Sequence, residues 1–116
     1  MRRSERYQRV YEEVQKRAHP IRVRGEGVRC GVTAHELSRI LCEVDGVKWP
    51  HTSMTVWRMG QRLANLYGLE ARTVFELRDM PAAVTRGGHS VRAHTRAVRV
   101  AVVLLPLDTA PRDGVQ

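Results

Sequence analysis

Apolar side chains recur along this chain with two different periods, and each change of period marks an element. From Tyr7 through Val10, Tyr11 and Val14 to Ala18 they fall at intervals of three and four. That is the spacing of one helical face, and it predicts a first helix capped by Ser4 and ended by the His19-Pro20 pair. Between Ile21 and Val32 the pattern contracts to Ile21/Val23 and Val28/Cys30/Val32, broken by Gly25, Gly27 and Gly31. The segment predicts a loop with one short strand, basic and exposed. Thr33-Ala34-His35-Glu36 then forms a capping box, in which the threonine accepts the Glu36 amide and the glutamate reaches back. It opens a second helix with Leu37, Ile40, Leu41 and Val44 on one face, running to about Val44.

Asp45-Gly46 signals a turn, and Trp49-Pro50 forces an extended step before Thr52 and Ser53, two good N-caps. A third helix therefore begins near Ser53. Val56, Met59, Leu63 and Leu66 line its apolar side, while Ser53, Thr55, Arg58, Gln61, Arg62 and Asn65 fall largely opposite. Gly68 closes it, with Leu69 as the apolar contact that accompanies such a cap. From Arg72 the period becomes two: Thr73, Phe75 and Leu77 alternate with Val74, Glu76 and Arg78, and a second strand runs from Ala97 to Leu105. The two strands can pair as a hairpin whose connection, about seventeen residues with Pro81, Gly87 and Gly88, is either a mobile arm or holds a short element. The reading is one α+β domain over residues 1–105, followed by a flexible tail over 106–116 containing Pro111 and Gly114.

Charge sharpens the picture. Twenty Lys and Arg oppose twelve Asp and Glu, a formal net charge of +8, the balance of a protein that approaches a polyanion. The excess lies at two ends. Residues 1–32 carry nine basic and four acidic residues, and 80–107 contain no acid while holding Arg86, Arg92, Arg96, Arg99 and two histidines. With 42% hydrophobic and 28% charged residues the composition is that of a globular chain, not of a disordered or disulfide-dense one. The longest apolar run, Val100–Leu105, is far short of a membrane span, and the Arg-rich start lacks a signal core, so a cytoplasmic, nucleoid-associated protein is expected. Cys30 and Cys42, twelve residues apart, match no zinc-ligand repeat, and Cys42 fits the apolar stripe of the second helix. There is no nucleophile elbow, phosphate-cradling glycine loop or HExxH, and the five histidines have no evident carboxylate, Ser or Cys partner. Neither enzyme activity nor a metal or other cofactor is expected.

Helix, short strand, capped helix, turn, helix, glycine and basic hairpin follow one another here. In that order, over about Tyr7 to Leu105, the chain resembles the winged helix-turn-helix family. Gly31-Val32-Thr33-Ala34-His35-Glu36-Leu37 looks like the family's lead into its second helix. Ser53-Met54-Thr55-Val56-Trp57-Arg58, through Leu63 and Leu66 to Gly68-Leu69, looks like its recognition helix. The resemblance implies a small winged helix, with a three-helix core and a C-terminal two-stranded hairpin as wing.

A helix that enters the major groove must offer short polar and Arg side chains while its far side packs on the domain. On that ground Ser53 and Thr55 are expected at phosphate or base edges, Arg58 at a guanine edge, and Gln61 and Arg62 at base or backbone. Trp57, on the border of the apolar stripe, either packs or contacts DNA. Arg86, His89, Arg92 and Arg96 are the wing's grip on phosphates or the minor groove, and Arg3 and Arg6 a second contact from the N-terminal arm. The function this predicts is sequence-specific binding of double-stranded DNA, with transcriptional repression by occupancy and a homodimer on a palindrome as the natural arrangement. The alternative is a protein-interaction winged helix, of accessory or phage type, that seizes an acidic host partner through Trp57 and the hairpin edge. RNA is disfavoured by the lack of an aromatic stacking platform.

Overall fold

A computed structural model describes residues 1–107. The expected tail over 106–116 lies outside the described residues, except for its first two positions. Three helices and six strands follow in the order α1 (Arg3–Arg17), β1 (His19–Val23), β2 (Gly27–Thr33), α2 (Ala34–Asp45), α3 (Met54–Tyr67), β3 (Glu70–Met80), β4 (Ala83–Val84), β5 (Ser90–Val91) and β6 (His94–Leu104). None of the described helices is long and apolar enough to cross a membrane.

All three predicted helices form, because their signals are local. α1 buries Val10 and Val14. It starts one residue before Ser4, with the Glu5 carboxylate accepting the Arg2 backbone N–H at 3.3 Å, so Ser4 is not the cap. The α2 capping box is in place, the Thr33 N–H donating to Glu36 Oε1 at 2.7 Å and the Glu36 N–H to the Thr33 hydroxyl at 3.3 Å. α3 begins after Ser53, whose hydroxyl accepts the Val56 N–H, and ends at Gly68 with φ of 73°, the left-handed conformation glycine adopts without strain. Leu37, Ile40, Leu41, Val56, Met59, Leu63 and Leu69 form the main core with Val10, Val14, Val32 and Val103. Tyr11 and Tyr67 stack with ring centroids 3.9 Å apart where α1 meets α3.

The sheet departs from the expectation of a C-terminal hairpin alone. β3 and β6 do pair antiparallel, over all eleven positions from Glu70↔Leu104 to Met80↔His94. But β6 also takes β2 as a partner (Gly31↔Leu104 to Thr33↔Val102), β2 pairs with β1, and β1 returns to β3 at Val23↔Glu76. The result is a small closed four-stranded antiparallel sheet, filled by Ile21, Val23, Val74, Val102 and Leu104. The segment read as a loop with one exposed strand is thus a hairpin with a buried face. Its burial was hidden because the residues that cover Ile21 and Val23 come from β3 and β6, far along the chain. The β3–β6 connection, left open between an arm and a short element, holds the β4–β5 hairpin.

Within β2 the Val28/Cys30/Val32 alternation does not set one face, since Val32 is buried in the main core. Val28 and Cys30 are exposed, whereas Arg29 is buried at 5% exposure. Its guanidinium donates to Glu26 at 3.0 Å, to Glu70 at 2.6 Å and to the Leu105 carbonyl at 3.3 Å. Arg72 binds the same two carboxylates, Glu26 at 2.6 and 2.8 Å and Glu70 at 3.1 Å. The Arg72 hydrogen bonds hold the Glu26 carboxyl below its ordinary range, and Arg29 does the same for Glu70. This four-charge cluster ties the β1–β2 turn to the start of β3 and to the chain leaving β6.

Two glycines set how closely the layers meet. A Cβ on Gly31 would come within 2.9 Å of the Leu104 Cα, so only glycine lets β2 lie against β6 there. A Cβ on Gly60 would reach the Val103 methyl at 3.1 Å and Ala71 at 3.7 Å, which places the root of the β3–β6 ribbon under the middle of α3.

Candidate nucleic-acid interface

The buried stripe of α3 (Val56, Met59, Gly60 and Leu63) leaves Arg58, Gln61, Arg62 and Asn65 exposed on its other side, with Thr55 half-buried at their edge. These side chains line one wall of a cleft of about 430 Å³, and Arg6 and Tyr7 of α1 line the other. Arg62 reaches toward the Tyr7 ring, 5.8 Å from its centroid. Arg3 shares a neighbouring depression with Arg62, Leu66 and Tyr67. Among the described residues, no element covers the flank expected to face a groove.

Two of the expected contacts have other work. Arg6 makes a two-pronged ion pair with Asp45, both bonds 2.8 Å, and the Trp49 indole N–H donates to the same carboxylate at 2.9 Å. The Arg6 pair holds Asp45 below its usual range, and Arg6 is held above its own by the same hydrogen bond. Arg6 thus fastens α1 to the α2–α3 turn, and Trp49 packs at that junction. Sequence could not anticipate this, since the partners are 39 residues apart. Ser53 spends its hydroxyl as acceptor in the α3 cap and is half-buried. Trp57 stands at 38% exposure and faces away from the α1 cleft, toward the ribbon.

The ribbon has its root beside Gly60, and Thr73 and Arg99 further out line the same groove as Thr52, Ser53 and Met54 at the start of α3. Eleven residues at about 3.3 Å each make each strand of the ribbon some 35 Å long. At the tip, β4 and β5 flank a tight turn closed by the Thr85 N–H on the His89 carbonyl at 2.7 Å, with Arg86 and His89 in the turn. Arg92 and His94 follow, the His94 ring contacting the Arg92 carbonyl at 3.2 Å. Arg96 lies directly across from Arg78. Two like charges at one cross-strand position are unfavourable unless an anion comes between them, and Arg78 is partly neutralised by Glu76 at 2.8 Å.

Ion pairing sorts the arginines. Among the described residues every Asp and Glu except Glu5 and Glu12 is in an ion pair, and these pairs use Arg6, Arg17, Arg22, Arg29, Arg72 and Arg78 together with Lys16 and His19. Arg2, Arg3, Arg9, Arg24, Arg39, Arg58, Arg62, Arg86, Arg92, Arg96 and Arg99, together with Lys48, have none there. Eight of these eleven arginines stand on the open flank of α3, at the start of α1 or on the ribbon and its tip, while Arg9, Arg24 and Arg39 stand on α1, at the β1–β2 turn and on α2.

His19 was expected to lack a partner, yet its Nε2 lies 2.8 and 2.9 Å from the two oxygens of Glu36, the α2 capping residue. The Glu36 hydrogen bond raises the His19 pKa above its ordinary value. Burial pushes Glu36 up, but the Thr33 amide and His19 outweigh it and hold it lower. The contribution to stability from His19 is therefore complete below the ordinary histidine pKa and is lost as pH rises through the raised one; that from Glu36 is lost as pH falls through its lowered value. Wild-type thermal midpoints should fall more between pH 6 and 8 than those of His19→Gln, measured by circular dichroism. Equal profiles would contradict the pair. His35 and His51, likewise given no role by the sequence, stack with centroids 3.6 Å apart beside Trp57.

Comparison with known proteins adds no relative: the chain matches no family model, no curated protein and no solved structure.

Proposed function

We propose that this protein is a winged-helix protein that binds duplex DNA sequence-specifically, with α3 as the reading element and the β3–β6 ribbon as the wing. The observation that carries the reading is the sorting of arginines by ion pairing, which leaves Arg58 and Arg62 beside Gln61 and Asn65 on one open helix flank and Arg86, Arg92 and Arg96 on the ribbon. Arg58 suits a guanine edge and Gln61 or Asn65 an adenine edge, while Arg62, Arg3 and the ribbon arginines neutralise phosphates. Arg6 has no part in this, being held by Asp45.

A bound protein of this kind represses transcription by occupancy, and two copies on a palindrome give the longer recognition sequence that one helix cannot. Repeated selection from a random duplex library, followed by sequencing, tests it. A motif of a few adjacent base pairs is expected to rise in the bound pool, and single strands of the same sequence should compete poorly. Bound pools that stay random, or single strands that compete equally, would overturn the reading. Retention of an acidic protein with no duplex affinity would favour a protein-docking role instead.

A further inference from the structure

We propose that the groove between α3 and the ribbon binds a small planar aromatic carboxylate. The groove measures about 460 Å³, within the range of small-molecule sites. Its floor and walls are apolar, from Leu37, Val56, Ala71, Ala101 and Val103, and Trp57 at 38% exposure and Met54 at 60% border it. Such a surface gains by covering an apolar body of matching size.

Three features narrow the ligand. The stacked rings of His35 and His51, together with the Trp57 indole, give the groove flat walls, which favour a flat ring system. Among the described residues no carboxylate lines it, whereas Arg99 does, and Arg99 has no acidic partner there. Directly across the ribbon from Arg99 stands Phe75, with the Arg24 guanidinium 4.3 Å above its ring, so the neighbouring surface adds a second cation and no acid. One negative charge on an otherwise apolar flat molecule complements this arrangement, and the planar fork of an arginine takes a carboxylate through two parallel hydrogen bonds. A DNA phosphate is a poorer match, because it would lose water against the apolar surface of Leu37 and Val103. The site's position between the two elements proposed to grip DNA makes its ligand an effector; that consequence rests on the duplex reading, while the binding itself does not.

The test uses the full chain with no DNA present, 2-naphthoate as probe and 2-naphthalenemethanol as its uncharged counterpart, followed by titration calorimetry and amide shifts in NMR spectra. Naphthoate is expected to bind about tenfold more tightly than the alcohol and to move the amides of Gly60 and Ala101. Arg99→Met should remove that preference and leave the thermal midpoint unchanged, since Arg99 is exposed. Trp57→Leu should weaken both probes alike. Equal affinity for acid and alcohol, a preference that survives Arg99→Met, shifts confined to other surfaces, or displacement of naphthoate by inorganic phosphate at equal concentration would each overturn the proposal.

Discussion

Arg29→Met is expected to destabilise the fold by about 3 kcal/mol, and to lower the thermal midpoint by roughly 10 °C or more. The side chain is 5% exposed and holds three acceptors at once: Glu26 at the β1–β2 turn, Glu70 at the start of β3 and the carbonyl of Leu105 beyond β6. Methionine keeps the volume but leaves that carbonyl unsatisfied and the two carboxylates with Arg72 alone. Because Glu26 and Glu70 are each more than a third exposed, water recovers part of the loss, and the effect stays at the low end for a broken buried pair. Denaturant unfolding of Arg29→Met, Glu70→Gln and the double variant gives the coupling directly, expected between about 1 and 3 kcal/mol. Additive single effects would show that the cluster does not join the two hairpins.

Arg58→Ala is expected to cost about 1 to 3 kcal/mol on the selected duplex and to relax preference at one base pair, while Arg92→Ala weakens all sequences alike. The contrast follows from position. On the proposed reading Arg58 approaches a base edge from the helix flank it shares with Thr55, Gln61 and Arg62, whereas Arg92, just after the β4–β5 hairpin, lies where a wing grips phosphates. Competition binding against single-substituted duplexes measures both. Two variants that lose affinity in the same pattern would contradict the division between a reading helix and a gripping ribbon.

What could be read from the residues and what could not divide along a physical line. The helices declare themselves within a few residues: Thr33 with Glu36, and Ser53 with the Val56 amide, are local bonds, and Gly68 ends α3 with its N–H on the Ala64 carbonyl, each where the sequence placed a cap. The β3–β6 ribbon was legible for the same reason, its period of two extending over many residues. The β1–β2 hairpin was not, because Ile21 and Val23 are too few to show a buried face and their cover comes from Val74, Val102 and Leu104. Arg29 defeats hydrophobic patterning outright, since its burial depends on carboxylates at Glu26 and Glu70 that fold brings together.

The candidate site follows the same rule. The exposed placement of Arg58, Gln61 and Arg62 on one side of α3 was legible from helical spacing alone. Ser53 was only half legible, as one hydroxyl cannot be told from its cap role in sequence. Arg6 was misread because its partner Asp45 is remote, and the His19–Glu36 and His35–His51 pairs escaped because each joins residues that only the fold makes neighbours. Arg99 carried a signal that was available, its place in the acid-free stretch, but not the groove it lines.

The most direct measurement for the central claim is the salt dependence of duplex binding, compared between the wild type and Arg86→Ala/Arg92→Ala/Arg96→Ala. With about six phosphates neutralised, the plot of log K against log salt should have a slope near −5, and removing three contacts should bring it to near −3. A wild type without duplex affinity, or a slope unmoved by the three substitutions, would contradict it.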